Sequence, residues 1–123
     1  MYFNLKASRG EIKIHEILEE AGLPFQEEYS FPDLIAESGR PLRFDFAVFD
    51  DEGSLEFLIE YQGIQHYQAK SKFGGAKGLY RQQHNDQKKR NYCLVHGYKL
   101  VIIPYWEEQL VDYDYIMKAA YNW

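Results

Sequence analysis

Two alternating segments joined by a short acidic turn constrain this chain most. Over residues 42–49, Phe44, Phe46 and Val48 point one way while Arg43, Asp45 and Ala47 point the other. Over 55–62, Leu55, Phe57, Ile59 and Tyr61 share one face and Glu56, Leu58, Glu60 and Gln62 the opposite one. A period of two is the mark of a half-buried β-strand. Asp50-Asp51-Glu52-Gly53 between them has turn composition, so the two segments predict hairpin neighbours in a sheet. One residue sits badly in that sheet. Asp is disfavoured in strands, yet Asp45 stands between two phenylalanines. Glu60 and Gln62, two apart, share a face. If the strands pair, Asp45 and Glu60 converge on one point.

The remaining elements follow from periodicity and punctuation. Residues 8–21 predict a helix, with Ile14, Ile17, Leu18 and Ala21 as its buried stripe, Ser8 and Glu11 as a capping box, and Gly22 and Pro24 ending it. Residues 25–31 predict a further strand. Residues 70–78, with three glycines and three lysines, predict an exposed mobile loop. A second helix is expected over 79–96, stopped at Gly97. A buried strand follows over 98–103, stopped by Pro104, and a last helix over 113–121. The order helix, three strands, helix, strand, helix predicts an α/β fold with a mixed β-sheet flanked by helices. At 123 residues, with 46% hydrophobic and 17% aromatic side chains, the chain has the size and the apolar content of one packed domain spanning 1–123.

Composition also excludes. No stretch approaches the roughly 20 apolar residues of a membrane span, and the start at Met1 lacks a secretory apolar segment. The lone Cys93 rules out an internal disulfide framework and a four-cysteine zinc site. An intracellular, cytoplasmic protein is expected. A net charge of −5 argues against generic nucleic-acid binding, but the charge is uneven. Between Tyr67 and Tyr92 stand Lys70, Lys72, Lys77, Arg81, Lys88, Lys89 and Arg90 against the single acid Asp86, so that stretch is +6 and the remainder −11. Lys77, Arg81 and Lys88, spaced four and seven apart, can line one side of the second helix if it begins early enough to include Lys77, with Lys70 and Lys72 on the loop before it. These five are the expected phosphate contacts. The plainer reading is a solvated basic helix.

Hard oxygen ligands gathered at Asp45 and Glu60 suit Mg²⁺, with Mn²⁺ as a substitute. Such an ion activates water and stabilises charge on a phosphoryl oxygen. Beyond the third strand comes His66, and twenty residues later Asp86 on the second helix. A histidine oriented by a carboxylate is the usual general base. Each residue also has a structural reading. Glu11 can merely cap its helix, Asp45 can pair with Arg43 or Arg40, Glu60 can be a solvated edge acid, and Asp86 can pair with Lys89 or Arg90 one turn along.

Taken together, these residues resemble the PD-(D/E)XK nuclease superfamily, with Asp45 at the first acid, Glu60 at the second and Gln62 where a lysine is expected. One branch replaces the lysine function with histidine and aspartate. From about Gly10 to Tyr105 the chain is similar to that branch, the very-short-patch-repair endonuclease fold and the EDxHD homing endonucleases: Glu11 matches E, Asp45 the first D, His66 H and Asp86 the last D. The resemblance implies a restriction-endonuclease-like core and a magnesium-dependent endonuclease acting on double-stranded DNA, of the homing type or a strand-nicking mismatch-repair enzyme on the same fold. It also implies roles. Asp45 and Glu60 hold the ion, His66 with Asp86 moves the proton of the attacking water, Glu11 positions a water on the ion, and Gln62 stands in neutrally for the lysine. The reading from another class is an inactive module that only binds nucleic acid or protein. With no helix-turn-helix or zinc-finger spacing, sequence recognition is expected from a further DNA-reading segment or a partner, and a homodimer stays open.

Overall fold

A computed structural model describes residues 7–122; the N-terminal segment 1–6 considered for a secretory signal lies outside the described residues. The elements are α1 (Arg9–Glu20), β1 (Phe25–Ile35), β2 (Pro41–Phe49), β3 (Leu55–Gln62), α2 (Gly75–His96), β4 (Leu100–Pro104) and α3 (Tyr113–Tyr121), with short 3-10 turns before α2 and after β4. The fold is α/β. One mixed sheet of order β1-β2-β3-β4 is antiparallel except for the parallel β3–β4 pair. A parallel pair needs a crossover, and α2 provides it. No helix among the described residues is long and apolar enough to cross a membrane.

The helices cover both faces of the sheet. Ile14, Leu18, Ile116 and Met117 of α1 and α3 close over Phe46, Val48, Phe57, Ile59, Val101 and Ile103. Cys93 of α2 closes over Leu42, Phe44, Ala47 and Leu58 on the other side. This corrects two expectations about facing. Phe44 packs under α2, away from Phe46 and Val48, and Leu55 packs with Leu58, away from Phe57. The cause for Leu55 is a register shift between Val48 and Phe49. For Phe44 it is an irregularity at Asp45. The β1–β2 register places Glu28 opposite Asp45, and Glu28 has a left-handed φ of 51°, a conformation uncommon outside glycine.

The expected mobile loop over 70–78 is mostly structure. Ser71–Phe73 forms a 3-10 turn and α2 starts at Gly75, a full turn earlier than the sequence suggests. Gly78 is buried because a Cβ there would lie 1.8 Å from the Phe73 carbonyl oxygen. Of the glycines that read as flexibility, Gly78 serves close packing, while Gly74 and Gly75 take left-handed φ values of 91° and 63° at the start of α2.

His15, given no role by the sequence, ties α1 to β1. Its Nδ1 lies 2.6 Å from Glu27 and its Nε2 2.8 Å from Glu19. Burial pulls the imidazolium pKa down, but the bonds to the two carboxylates outweigh this and leave it above the ordinary value. A raised pKa contributes stability fully below the unfolded value of about 6.5, lost as pH rises through the folded value. His15→Ala is therefore expected to cost about 1.5–3 kcal/mol at pH 6 and distinctly less at pH 9. Urea denaturation at both pH values checks this; an equal cost at the two would show the ring to be packing alone.

Candidate active site

The site grows from a fork in the sheet. The β2–β3 ladder runs from Phe49↔Leu55 to Phe46↔Ile59 and stops. One more step would set Asp45 opposite Glu60. Instead the Asp45 N–H donates to Glu60 Oε1 at 2.9 Å, and the Tyr61 N–H donates to Asp45 Oδ2 at 2.7 Å. Two carboxylates thus take the place of ladder carbonyls, and the backbone donors of both strands stay satisfied. Meanwhile β3 remains paired to β4 through Glu60↔Ile102 and Gln62↔Pro104, and β2 remains paired to β1 through Tyr29↔Phe44. The strands part at the two acids, which explains how Asp45 is tolerated mid-strand. Neither Arg43 nor Arg40 pairs with it among the described residues.

Glu60 is buried, not a solvated edge acid, and both its oxygens are engaged: Oε2 accepts from Lys89 Nζ at 2.9 Å. Lys89 is itself buried, with Nζ 5.6 Å from the centre of the Phe44 ring. Burial pushes the Glu60 pKa up despite the opposing Lys89 charge. Asp45 is pushed well above the usual carboxylate range by burial and by the negative charges of Glu60 and Glu11. Glu11 completes its capping box, with Oε1 accepting from the Ser8 hydroxyl at 2.9 Å and from its N–H at 3.3 Å. Capping and proximity to Asp45 therefore coexist. Gly10 makes that proximity attainable: a Cβ there would lie 2.2 Å from the Tyr61 ring, so only glycine lets α1 approach the end of β3.

Beyond β3, a short 3-10 turn turns His66 inward, and its Nδ1 lies 2.8 Å from Asp86 Oδ2. A carboxylate only accepts, so Nδ1 carries the hydrogen, and in the neutral ring Nε2 is then the nitrogen with the lone pair. Gln82 Nε2 donates to Asp86 Oδ1 at 3.2 Å, and Gln83 Nε2 donates to the His66 carbonyl at 3.3 Å. Asp86 thus fixes the ring at Nδ1, and Gln83 fixes the His66 backbone. Gln62 Oε1 accepts from the Tyr67 hydroxyl at 2.6 Å, so the amide is oriented by the residue after His66.

The structure pairs Asp45 with Glu60 and His66 with Asp86, sets Glu11 near Asp45, Asp86 near Glu60 and Gln62 against Tyr67, and adds Lys89, expected from the sequence only as a partner for Asp86. A signal for it was present. Asp86, Lys89 and Cys93 are spaced three and four apart and are all buried, forming the inward stripe of α2. The expected phosphate contacts fall elsewhere. At about 100° per residue, Lys77, Arg81 and Lys88 do share one stripe, but on the side of α2 opposite Asp86. Lys88 Nζ donates to the Ile35 carbonyl at the end of β1. Lys70 starts the 3-10 turn before α2, and Lys72 lies over the Phe73 ring.

Removing Lys89 should expose how the acids are held. Lys89→Met leaves Glu60 buried without its partner, and breaking a buried pair from one side is expected to cost about 3 kcal/mol. Denaturant unfolding at neutral pH reads the loss, and Lys89→Met together with Glu60→Gln should recover part of it. A double variant no more stable than Lys89→Met would deny the coupling.

Among the described residues no group of three or more His, Cys, Asp and Glu side chains is arranged to enclose a metal ion. The donor set nevertheless fits an ion that takes one or two carboxylates and keeps several waters, as Mg²⁺ does. Asp45 Oδ1 accepts no hydrogen bond among the described residues, and the repulsion around Asp45 is what a divalent cation would relieve. Glu60 fits less well as a ligand, since it would have to release Lys89.

No family model and no solved structure matches the chain. It is similar to "Uncharacterized protein 094L" of frog virus 3 (isolate Goorha), 38% identical over 79 residues that make up 63% of this chain and 48% of that protein. It is also similar to "Uncharacterized protein 307L" of invertebrate iridescent virus 6, 28% identical over 124 residues, covering 90% of this chain and 63% of that protein. The chain thus spans between about half and two thirds of the length of these viral relatives.

Proposed function

We propose that this chain carries a divalent-metal-dependent DNA endonuclease site on a restriction-endonuclease-like core of the very-short-patch-repair type. The observation that supports it most is the fork: Asp45, pressed by Glu60 and Glu11, beside the 2.8 Å His66–Asp86 pair. Asp45, with Glu11 beside it, would hold Mg²⁺. When bound, the ion supplies positive charge to a phosphoryl oxygen and lowers the pKa of water. His66 takes the proton of the attacking water at Nε2, and Asp86 stabilises the imidazolium that results. Lys89 holds Glu60 in place, and Glu60 in turn fixes the Asp45 backbone. Gln62, anchored through Oε1, keeps its amide N–H groups for the substrate or the water. Lys70 and Lys72 supply phosphate contacts that position DNA without reading it.

Incubating the protein with a labelled DNA duplex in Mg²⁺ and in chelator tests the reading: cleavage in Mg²⁺ alone is expected, and intact duplex in both would reject it. In the same assay Gln62→Ala should lose about tenfold or less, because a neutral amide contributes positioning and no proton transfer. Losses equal to those of His66→Ala would give Gln62 a direct catalytic part.

A further inference from the structure

The far side of α2 carries a groove that the cleavage site does not use. It encloses about 410 Å³ and is lined by Glu37, Ala76, Lys77, Tyr80, Arg81 and His84. Tyr80 is 74% exposed, a large ring left in water with little packing of its own. It lies nearly parallel to the His84 ring, at 11° between planes and 6.3 Å between centroids. His84 Nε2 is 3.2 Å from Glu37 Oε1, which ties that ring to the β1–β2 turn. Lys77 and Arg81, one helical turn apart, flank the pair on an otherwise acidic body.

We infer that this groove binds an unpaired nucleotide of single-stranded DNA. The inference rests on the nuclease reading above and names the kind of DNA it acts on: one with a single-stranded stretch. A flat group stacked on Tyr80 also lies parallel to His84. Nucleobases offer such faces only when unpaired, since a duplex hides them. The phosphates on either side of a stacked base meet Lys77 and Arg81, and Glu37 directs them to that edge of the groove by repulsion. The volume is of the size that holds small ligands. The groove and the cleavage site lie on opposite sides of one helix, in which Gln82 and Gln83, just beyond Tyr80, hold Asp86 and the His66 carbonyl.

Binding to a fluorescent fifteen-residue thymidine oligonucleotide, and to a duplex of the same length, can be read by anisotropy in chelator, where no cleavage occurs. The single strand is expected to bind the wild type more tightly than the duplex does. Tyr80→Ala should weaken the single strand about 5- to 150-fold, the effect of losing one stacked base, and leave duplex binding unchanged; Tyr80→Phe, which keeps the ring, should restore it. Single-strand binding by Tyr80→Ala equal to wild type would overturn the groove while leaving the nuclease reading standing, because metal-dependent duplex cleavage is scored separately. Failure of the wild type to bind the single strand more tightly than the duplex would also overturn the groove.

Discussion

Asp45→Asn is expected to melt at a higher temperature than wild type in chelator and to lose cleavage by about a thousandfold or more. Both follow from one carboxylate. Burial and the charges of Glu60 and Glu11 raise the Asp45 pKa in the folded protein. The native state then binds this proton more tightly than the unfolded chain, so stability falls as pH rises from the ordinary carboxylate range through the raised value. At neutral pH the raised pKa is therefore a cost to the metal-free fold. Asn keeps an oxygen to accept the Tyr61 N–H and carries no charge, so the repulsion disappears. The same change removes the ligand, and a metal's contribution of several kcal/mol corresponds to a thousandfold or more in rate. Mg²⁺ should raise the melting temperature of wild type and leave that of Asp45→Asn unmoved. A variant that melts lower than wild type in chelator would mean that Asp45 is structural.

His66→Ala is expected to lose about 10²–10⁴ in cleavage rate, the range for positioned general bases, with DNA binding in chelator unchanged. The ring is buried and held through Nδ1 by Asp86, itself held by Gln82, so its surroundings orient Nε2. Asp86→Asn should fall in the same range, because an amide can donate to Nδ1 and favour the wrong tautomer. Combining the two should cost little more than either alone, as for groups acting as a unit. Single-turnover cleavage separates this from a binding defect. Additive losses would mean that the pair does not act together.

Much of this was legible in the sequence, for identifiable reasons. The capping box at Ser8 and Glu11, the β2–β3 hairpin, the span of β3 and the 2.8 Å approach of His66 to Asp86 rest on local rules or on elements whose order leaves little freedom. Strict alternation failed at Phe44 and Leu55, because a ladder that forks or shifts register turns side chains to the other face, and period-two counting has no term for that. The start of α2 was missed because Gly74, Gly75 and Gly78 read as flexibility, although Gly78 is needed for contact with the Phe73 carbonyl. Lys89 was missed because its partner Glu60 lies 29 residues away, and a helix face alone does not say which strand it meets. The basic stripe was found as a stripe, but the sequence did not reveal that Lys88 and His84 turn it toward Ile35 and Glu37, away from Asp86.

Conversion of supercoiled plasmid by wild type and Asp45→Asn, side by side in Mg²⁺ and in chelator, is the most direct measurement. Nicked or linear products are predicted from wild type in Mg²⁺ only, with the Asp45→Asn lanes unchanged throughout. Cleavage by wild type in chelator, or by Asp45→Asn at the wild-type rate in Mg²⁺, would contradict a metal-dependent site at the fork.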